Sequence, residues 1–335
     1  MSWKGKLSTV LMAGLVAIVT APVASATPRS TGPEPTLLAT FGSDLGSGST
    51  IGPGGDLYVT DGNAGTVLRI DRKTGDVSKV AEGLPPQVLG IGGAIDIAFV
   101  GSTAYVLVTL VGGDIVGGPH IGDDVVGIYR LDKDGGFTTI ADIGAWSVEN
   151  PPTTDYFITT GVQYALEVFR GGFLVTDGHH NRVLHVTLDG QITEVVTYGN
   201  IVPTGLEASG NTVHIGQLGP VPHLPADGKV AAVSPKSWSS ADIASGARMI
   251  VDVEYGRGHT LYALSQGVWD GAGEGSPAQP NTGRLVRVGS NGSLTPVVDS
   301  SGNELVLDRP TSMEFIGKTA YIVSLTGAIT KIDNI

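Results

Sequence analysis

The sequence predicts an all-β fold, a six-bladed β-propeller, and three observations carry that prediction. One pattern recurs six times: an apolar strand, a Gly- or Asp-bearing turn, a second strand, a Gly turn, and a Thr/Val-rich outer strand. Within these strands apolar and polar residues alternate with period two, so each buries one face. The sixth copy ends at KIDNI with no outer strand, and TLLATFG, Thr36 to Gly42, offers the missing pattern from the other end of the chain. A four-stranded sheet completed by the opposite terminus closes a ring and hides its edges. With 50 Gly and 19 Pro in 335 residues, the composition suits short strands and tight turns better than helices.

The first 26 residues carry Lys4 and Lys6, an apolar run from Leu7 to Thr20, then Pro22 and the small triplet Ala24-Ser25-Ala26. This is the layout of a secretory signal peptide cleaved after Ala26, and the run is short for a membrane anchor. Residues 27–34 form a linker and residues 35–335 a single propeller domain. No later segment is long and apolar enough to span a bilayer, so the expectation is an exported, soluble monomer. The chain has no Cys, which leaves an aliphatic core to hold the fold without disulfides or thiolate metal ligands. Loss of the leader leaves 18 basic against 32 acidic residues, a formal charge of −14. Such a field repels nucleic acid and anionic lipid and tolerates cations.

The blades follow in order. Their central strands are DLYVT from Asp56, TAYVLVT from Thr103, GFLVT from Gly172, TVHIG from Thr212, TLYALS from Thr260 and TAYIVS from Thr319. Their third strands are TVLRID, GIYRLD, RVLHVT, KVAAVS, RLVRVG and AITKID. Outer strands begin near Asp76, Gly136, Gln191 and Ser293, with a poorer match, SSADIASG, at Ser239. The central strands are spaced unevenly, which propeller blades with loop insertions allow and an evenly repeating solenoid does not. In the turns TDGNAG and TDGHHN, Asp61 and Asp177 are expected to fold back onto backbone N–H groups, with Gly62 and Gly178 in a conformation other residues resist. Asn181 and Arg182 are read as blade-to-blade groups.

The longest departures from the repeat are Val111–Gly127, Gln217–Gly228 and Gln266–Gly283, each between second and third strands, and the crossover Ala145–Gly161. Strand order puts all four on one face of the disc. That face gathers His120, His179, His180 and His223 with Trp146, Glu149, Tyr156 and Trp269, and a funnel with aromatic and polar lining is where a ligand binds. Trp146, Glu149, Tyr156, His179, His180, His223 and Trp269 are therefore the candidate ligand-binding residues. The chain lacks HExxH, an EF-hand loop, G-x-S-x-G and a phosphate loop, so no catalytic residues are assigned. Calcium on the channel axis would need oxygen ligands at the inner blade edges. Asp96, Gln163, Glu207, Asp252 and Glu314 stand there, with Asp96, Asp252 and Glu314 the candidate metal ligands, although backbone N–H groups could satisfy such carboxylates instead.

The blade frame, as in VTDGHHNRVLHV, resembles NHL-type propellers. The order of WSVENPP (Trp146–Pro152), TTGVQYAL (Thr159–Leu166), VTDGHHNRVLHV, VPTGLEASGNTVHIGQL (Val202–Leu218) and HLPADGKVAAV (His223–Val233) resembles the secreted ScyD/ScyE family of propellers. The chain departs from that family where it has Thr160-Gly161 at the opening of blade 3 and His179-His180 in the following turn. The resemblance implies an exported propeller, with some relatives associated with scytonemin pigment, and no defined reaction. The reading is a binding module for a small molecule, a cation or a protein segment on the insertion-rich face. The alternative is a calcium-dependent hydrolase, lactonase or lyase at the channel mouth.

Overall fold

The computed structural model describes residues 32–42 and 48–335. The leader, its cleavage site and residues 27–31 of the linker lie outside them. Six four-stranded antiparallel sheets follow one another around a ring. Blade 1 is built from Ser49–Ile51, Leu57–Asp61, Thr66–Ile70 and Val77–Glu82, from the axis outward. Blade 2 uses Gly93–Val100, Thr103–Thr109, Gly127–Leu131 and Phe137–Asp142, and blade 3 uses Gln163–Phe169, Gly172–Asp177, Arg182–Thr187 and Ile192–Thr197. Blades 4 and 5 run through Pro203–Ser209 to Ser239–Ala247 and Ile250–Gly256 to Leu294–Pro296. In blade 6, Pro310–Ile316, Thr319–Ser324 and Ala328–Asp333 are completed by Glu34–Thr40, which pairs antiparallel with Ala328–Asp333. The ring therefore closes as the repeat predicts.

The weak outer pattern of blade 4 forms the longest strand, nine residues. Its Ala244 side chain is buried, and its serines face outward. Val, Ile, Leu and Ala from facing sheets fill the spaces between blades, as in Leu107, Ile128, Phe173, Val175 and Leu184 between blades 2 and 3. Tyr58 meets Phe99, and Tyr262 meets Phe315, at 4.8 Å between ring centroids in both pairs. No helix among the described residues is long and apolar enough to cross a membrane.

The turn glycines act differently from expectation. Gly62 and Gly178 are not in the left-handed region; Gly65 (φ 62°) and Asn181 (φ 55°), three residues further along each turn, are. Gly62 is needed for space, since a Cβ there would stand 2.2 Å from the Gly92 carbonyl oxygen of the next blade.

Candidate functional site

Because chain direction alternates within each blade, the turns between second and third strands and the crossovers between blades share one face. The long loops 111–127, 145–161, 217–228 and 266–283 are all of these two kinds. The first folds into a small hairpin, Gly112–Asp114 against His120–Asp123. At its exposed end His120 contacts Asp114 at 2.7 Å and Asp123 at 3.1 Å, and those two hydrogen bonds raise its pKa. The crossover carries a short helix, Ile143–Glu149, capped by Asp142, whose Oδ1 accepts from the Ala145 N–H.

The two adjacent histidines point into the molecule. His180, Asp177 and Arg182 are fully buried, and their polar atoms bond to one another. His180 Nε2 donates to the Ile158 carbonyl oxygen at 2.9 Å, and its Nδ1 lies 2.9 Å from Arg182 Nη2 and 3.1 Å from Asp177 Oδ2. Arg182 also donates to Asp177 Oδ2, the Asn150 carbonyl oxygen, Ser147 Oγ and Glu194, with its guanidinium 4.9 Å from the Trp146 ring centre. Asp177 Oδ1 accepts from the Val162 and His180 N–H groups. Burial alone would push the Asp177 carboxyl up, but His180, Arg182 and the Val162 N–H together hold it below its ordinary value. The ionisable groups Asp177, His180 and Arg182 are thus all partnered, as a low-dielectric interior requires of charges, while the neighbouring Asn181 Oδ1 is not. The turn is a clasp that fixes the crossover onto blade 3. Asp61 makes the simpler Asx turn, accepting from Asn63 and Ala64 at 3.0 Å each.

His179 faces the other way from the same turn. Its Nε2 accepts from the N–H groups of Phe157 and Ile158 at 2.9 and 3.1 Å, so its proton sits on Nδ1, which donates to Glu274 Oε1 at 2.7 Å. Glu274 comes from the loop of blade 5, and this bond ties three segments together over the face. Phe157, exposed on its outer side, lies 4.4 Å from the His179 ring centre. A methyl group on Gly275 would be 3.9 Å from Ile91, which places the exposed blade 1 to blade 2 crossover beside Glu274.

Beside this bridge the polar atoms are open. His223 (7 % exposed) stands edge-to-face with Trp269 at 5.4 Å. Buried His223 Nδ1 and Trp269 Nε1 have no hydrogen-bond partner. Burial lowers the His223 pKa, while the Pro220 carbonyl and the Glu274 and Asp227 charges act in the opposite direction. The imidazole is thus held neutral, with one nitrogen unused, near a carboxylate.

The structure accordingly divides the residues singled out from sequence. His179, His223 and Trp269 come together with Glu274. Tyr156 is half-buried against His180, ring centres 5.3 Å apart, on the flank of the clasp. Trp146 and Glu149 line a separate open groove of about 430 Å³ between the helix and the Asp189–Ile192 turn. Glu274 and Phe157 escaped sequence reasoning. A lone Glu in a Gly-rich loop carries no signal until a histidine from another blade is found opposite it.

The axial channel has its own chemistry. Six equivalent inner-strand positions read Gly48, Asp96, Ala165, Gly205, Asp252 and Ser312 around the ring, a pattern repeated after three blades. Asp96 accepts from the N–H groups of Ile97 and Leu166, and Asp252 accepts in the same way from Val253 and Met313. Each aspartate thus pins its own strand to the next blade. Two residues further along each strand, blades 3 to 6 present Glu167, Glu207, Glu254 and Glu314; Glu167 and Glu254 were not singled out from sequence, although strict alternation from Ala165 and Asp252 leads to them. Burial raises Asp96 to about 7, Glu167 to about 8 and Glu207 to about 7, and burial with mutual repulsion raises Asp252, Glu254 and Glu314 as well. Tyr164 of blade 3 reaches across the axis and donates to the Thr311 carbonyl oxygen of blade 6 at 2.8 Å. Among the described residues no three His, Asp or Glu side chains are grouped to hold a metal ion. Both oxygens of Asp96 and of Asp252 accept backbone N–H groups, the alternative to a cation that the sequence left open for such carboxylates.

No protein-family profile matches the chain, and no curated protein matches it by sequence. Solved structures do resemble it. A gluconolactonase from Xanthomonas campestris aligns with a TM-score of 0.59 at 13% identity, over 90% of this chain and 89% of its own. Virginiamycin B lyase from Staphylococcus aureus gives 0.53 at 15% identity, over 91% of this chain and 100% of its own. The PQQ-bound aldose sugar dehydrogenase of Streptomyces coelicolor gives 0.54 at 15%, over 90% and 98%. At these identities the likeness establishes the six-bladed propeller fold.

Proposed function

We propose that this protein is an exported, ScyD/ScyE-like propeller that binds a small organic ligand on its long-loop face, where His223 and Trp269 meet the His179–Glu274 bridge. One observation carries the reading: among the buried side-chain polar atoms without a partner in the described residues, His223 Nδ1 and Trp269 Nε1 belong to two adjacent aromatic side chains that meet edge-to-face on the long-loop face. A ligand offering an acceptor to the indole N–H and a group for the imidazole nitrogen would complete both. The rest of the face supplies a rigid frame, since the clasp at Arg182 fixes the crossover that carries Phe157.

A second reading has a specific observation behind it. A neutral imidazole with a free nitrogen beside a carboxylate is suited to proton transfer, and a lyase and a gluconolactonase share this fold. In that case His223 is the proton acceptor, and the reaction occurs at the same place rather than at the channel acids.

Thermal-shift screening of small organic molecules against the mature protein and a His223→Ala/Trp269→Phe double variant tests both readings. Compounds are expected to raise the wild-type melting temperature and to leave the variant unmoved. Stabilisers acting equally on both proteins would place the site elsewhere. Stabilisation by calcium that disappears in Glu254→Gln/Glu314→Gln would transfer it to the channel.

A further inference from the structure

Charge is distributed unequally between the two faces. The four long loops contain eight Asp and Glu residues and no Lys or Arg. The turns on the opposite face carry Arg72, Lys73, Lys133, Arg170, Lys236, Arg257 and Lys318. Asp270, in the same loop as Trp269, is held ionised by the Ser276 hydroxyl and the Ala272 N–H, which lower its pKa. The face is also apolar at its surface. Ile91, Phe157 and Leu224, 42%, 39% and 59% exposed, surround the His223–Glu274 region from three different loops. Exposed apolar groups concentrated at one place mark an interaction site, and a field of one sign selects the charge of what arrives.

Resting on the binding site proposed above, we infer that its ligand is an organic ammonium ion with a neutral hydroxyl or carbonyl oxygen close to the nitrogen and an apolar body. The ammonium lies against Glu274, whose second oxygen is uncommitted, and can also donate to His223 Nδ1. The neutral oxygen accepts from Trp269 Nε1–H. The apolar body lies against Phe157 and Ile91. A buried, unpartnered imidazole nitrogen separates this site from a merely acidic surface patch. An anionic ligand would instead meet the eight acids of the four long loops, against which the shorter crossovers of the same face set Arg248 and Arg309, and a neutral one would leave the field unused.

Three probes with one phenyl body separate the charges: phenylalaninol, a cation; N-acetylphenylalaninol, neutral; and phenyllactate, an anion. Each is titrated into the ¹⁵N-labelled mature protein while the Trp269 indole N–H resonance, identified by its loss in Trp269→Phe, is followed. Phenylalaninol should shift that resonance with a dissociation constant about tenfold below that of N-acetylphenylalaninol, the worth of one charge-assisted contact. Phenyllactate should leave it in place, and Glu274→Gln should bring phenylalaninol to the level of the neutral probe. Equal binding of the cationic and neutral probes would overturn the charge inference and leave the site intact. Binding of phenyllactate as strong as that of phenylalaninol would do the same. Silence of the resonance toward all three would overturn the site together with the inference.

Discussion

Two histidine-bearing regions lie side by side on the long-loop face and have opposite characters. In the blade 3 turn, Asp177, His180 and Arg182 are fully buried, and Arg182 alone serves five polar partners. Across the His179–Glu274 bridge, His223 Nδ1 and Trp269 Nε1 are buried enough to lose water yet left without partners. Residue type does not separate the two, since both carry histidine among aromatics. Hydrogen-bond completeness does. A satisfied network rigidifies a fold, whereas an unsatisfied one destabilises it slightly unless something else binds there.

The contrast is broken most severely by Arg182→Ala, which strands the Asp177 carboxylate in the interior. A loss of about 3–5 kcal/mol is expected in urea unfolding. Arg182→Lys should recover little, because an ammonium cannot reproduce the planar fork. If the clasp were instead a ligand site, the substitution would spare stability and abolish binding. Next in size is Gly205→Ala in the channel ring, where a Cβ would stand 2.2 Å from Asp252 Oδ1. The expected cost is roughly 1–3 kcal/mol, from forced displacement of an inner strand.

A third expectation concerns pH. The channel acids bind protons more tightly in the folded than in the unfolded chain, with Asp96 and Glu207 near 7 and Glu167 near 8. Their contribution to stability is present in full below the ordinary carboxyl range of about 4 and is lost as pH rises through roughly 7 to 8. The melting temperature should therefore fall from mildly acidic to mildly alkaline pH. Glu254→Gln/Glu314→Gln should flatten that slope, and an unchanged slope would mean that these carboxyls do not repel one another as the geometry requires. The smallest expected effect is on the open side: His223→Ala should cost no more than about 1.5 kcal/mol, from lost packing against Trp269 and the contact to the Pro220 carbonyl, because its Nδ1 surrenders no hydrogen bond.

Most of the architecture was legible in the sequence because a propeller repeats its pattern. DLYVT, TAYVLVT and GFLVT announce the same strand three times, and TLLATFG matches what KIDNI lacks. Strand order then assigns the long loops to one face without any coordinates. The function of each histidine was not legible. The segment TDGHHN places His179 and His180 one residue apart, yet one bridges to blade 5 and the other locks onto Arg182. Which way each ring points depends on the crossover carbonyl of Ile158 and on Glu274, 22 and 94 residues from His180. Periodicity cannot report contacts made between blades. The glycines repeat this lesson, since Gly62 is demanded by the close approach of Gly92 rather than by its own turn.

Urea unfolding of Trp269→Phe, alongside a ligand titration of the same variant, tests most directly whether the open region serves binding rather than folding. The expected result is an unfolding free energy within about 2 kcal/mol of wild type, since a smaller aromatic ring is kept and the N–H removed with the indole has no partner, together with loss of ligand binding. A drop of several kcal/mol with ligand binding preserved would contradict it, making Trp269 part of the scaffold and leaving the long-loop face without its proposed site.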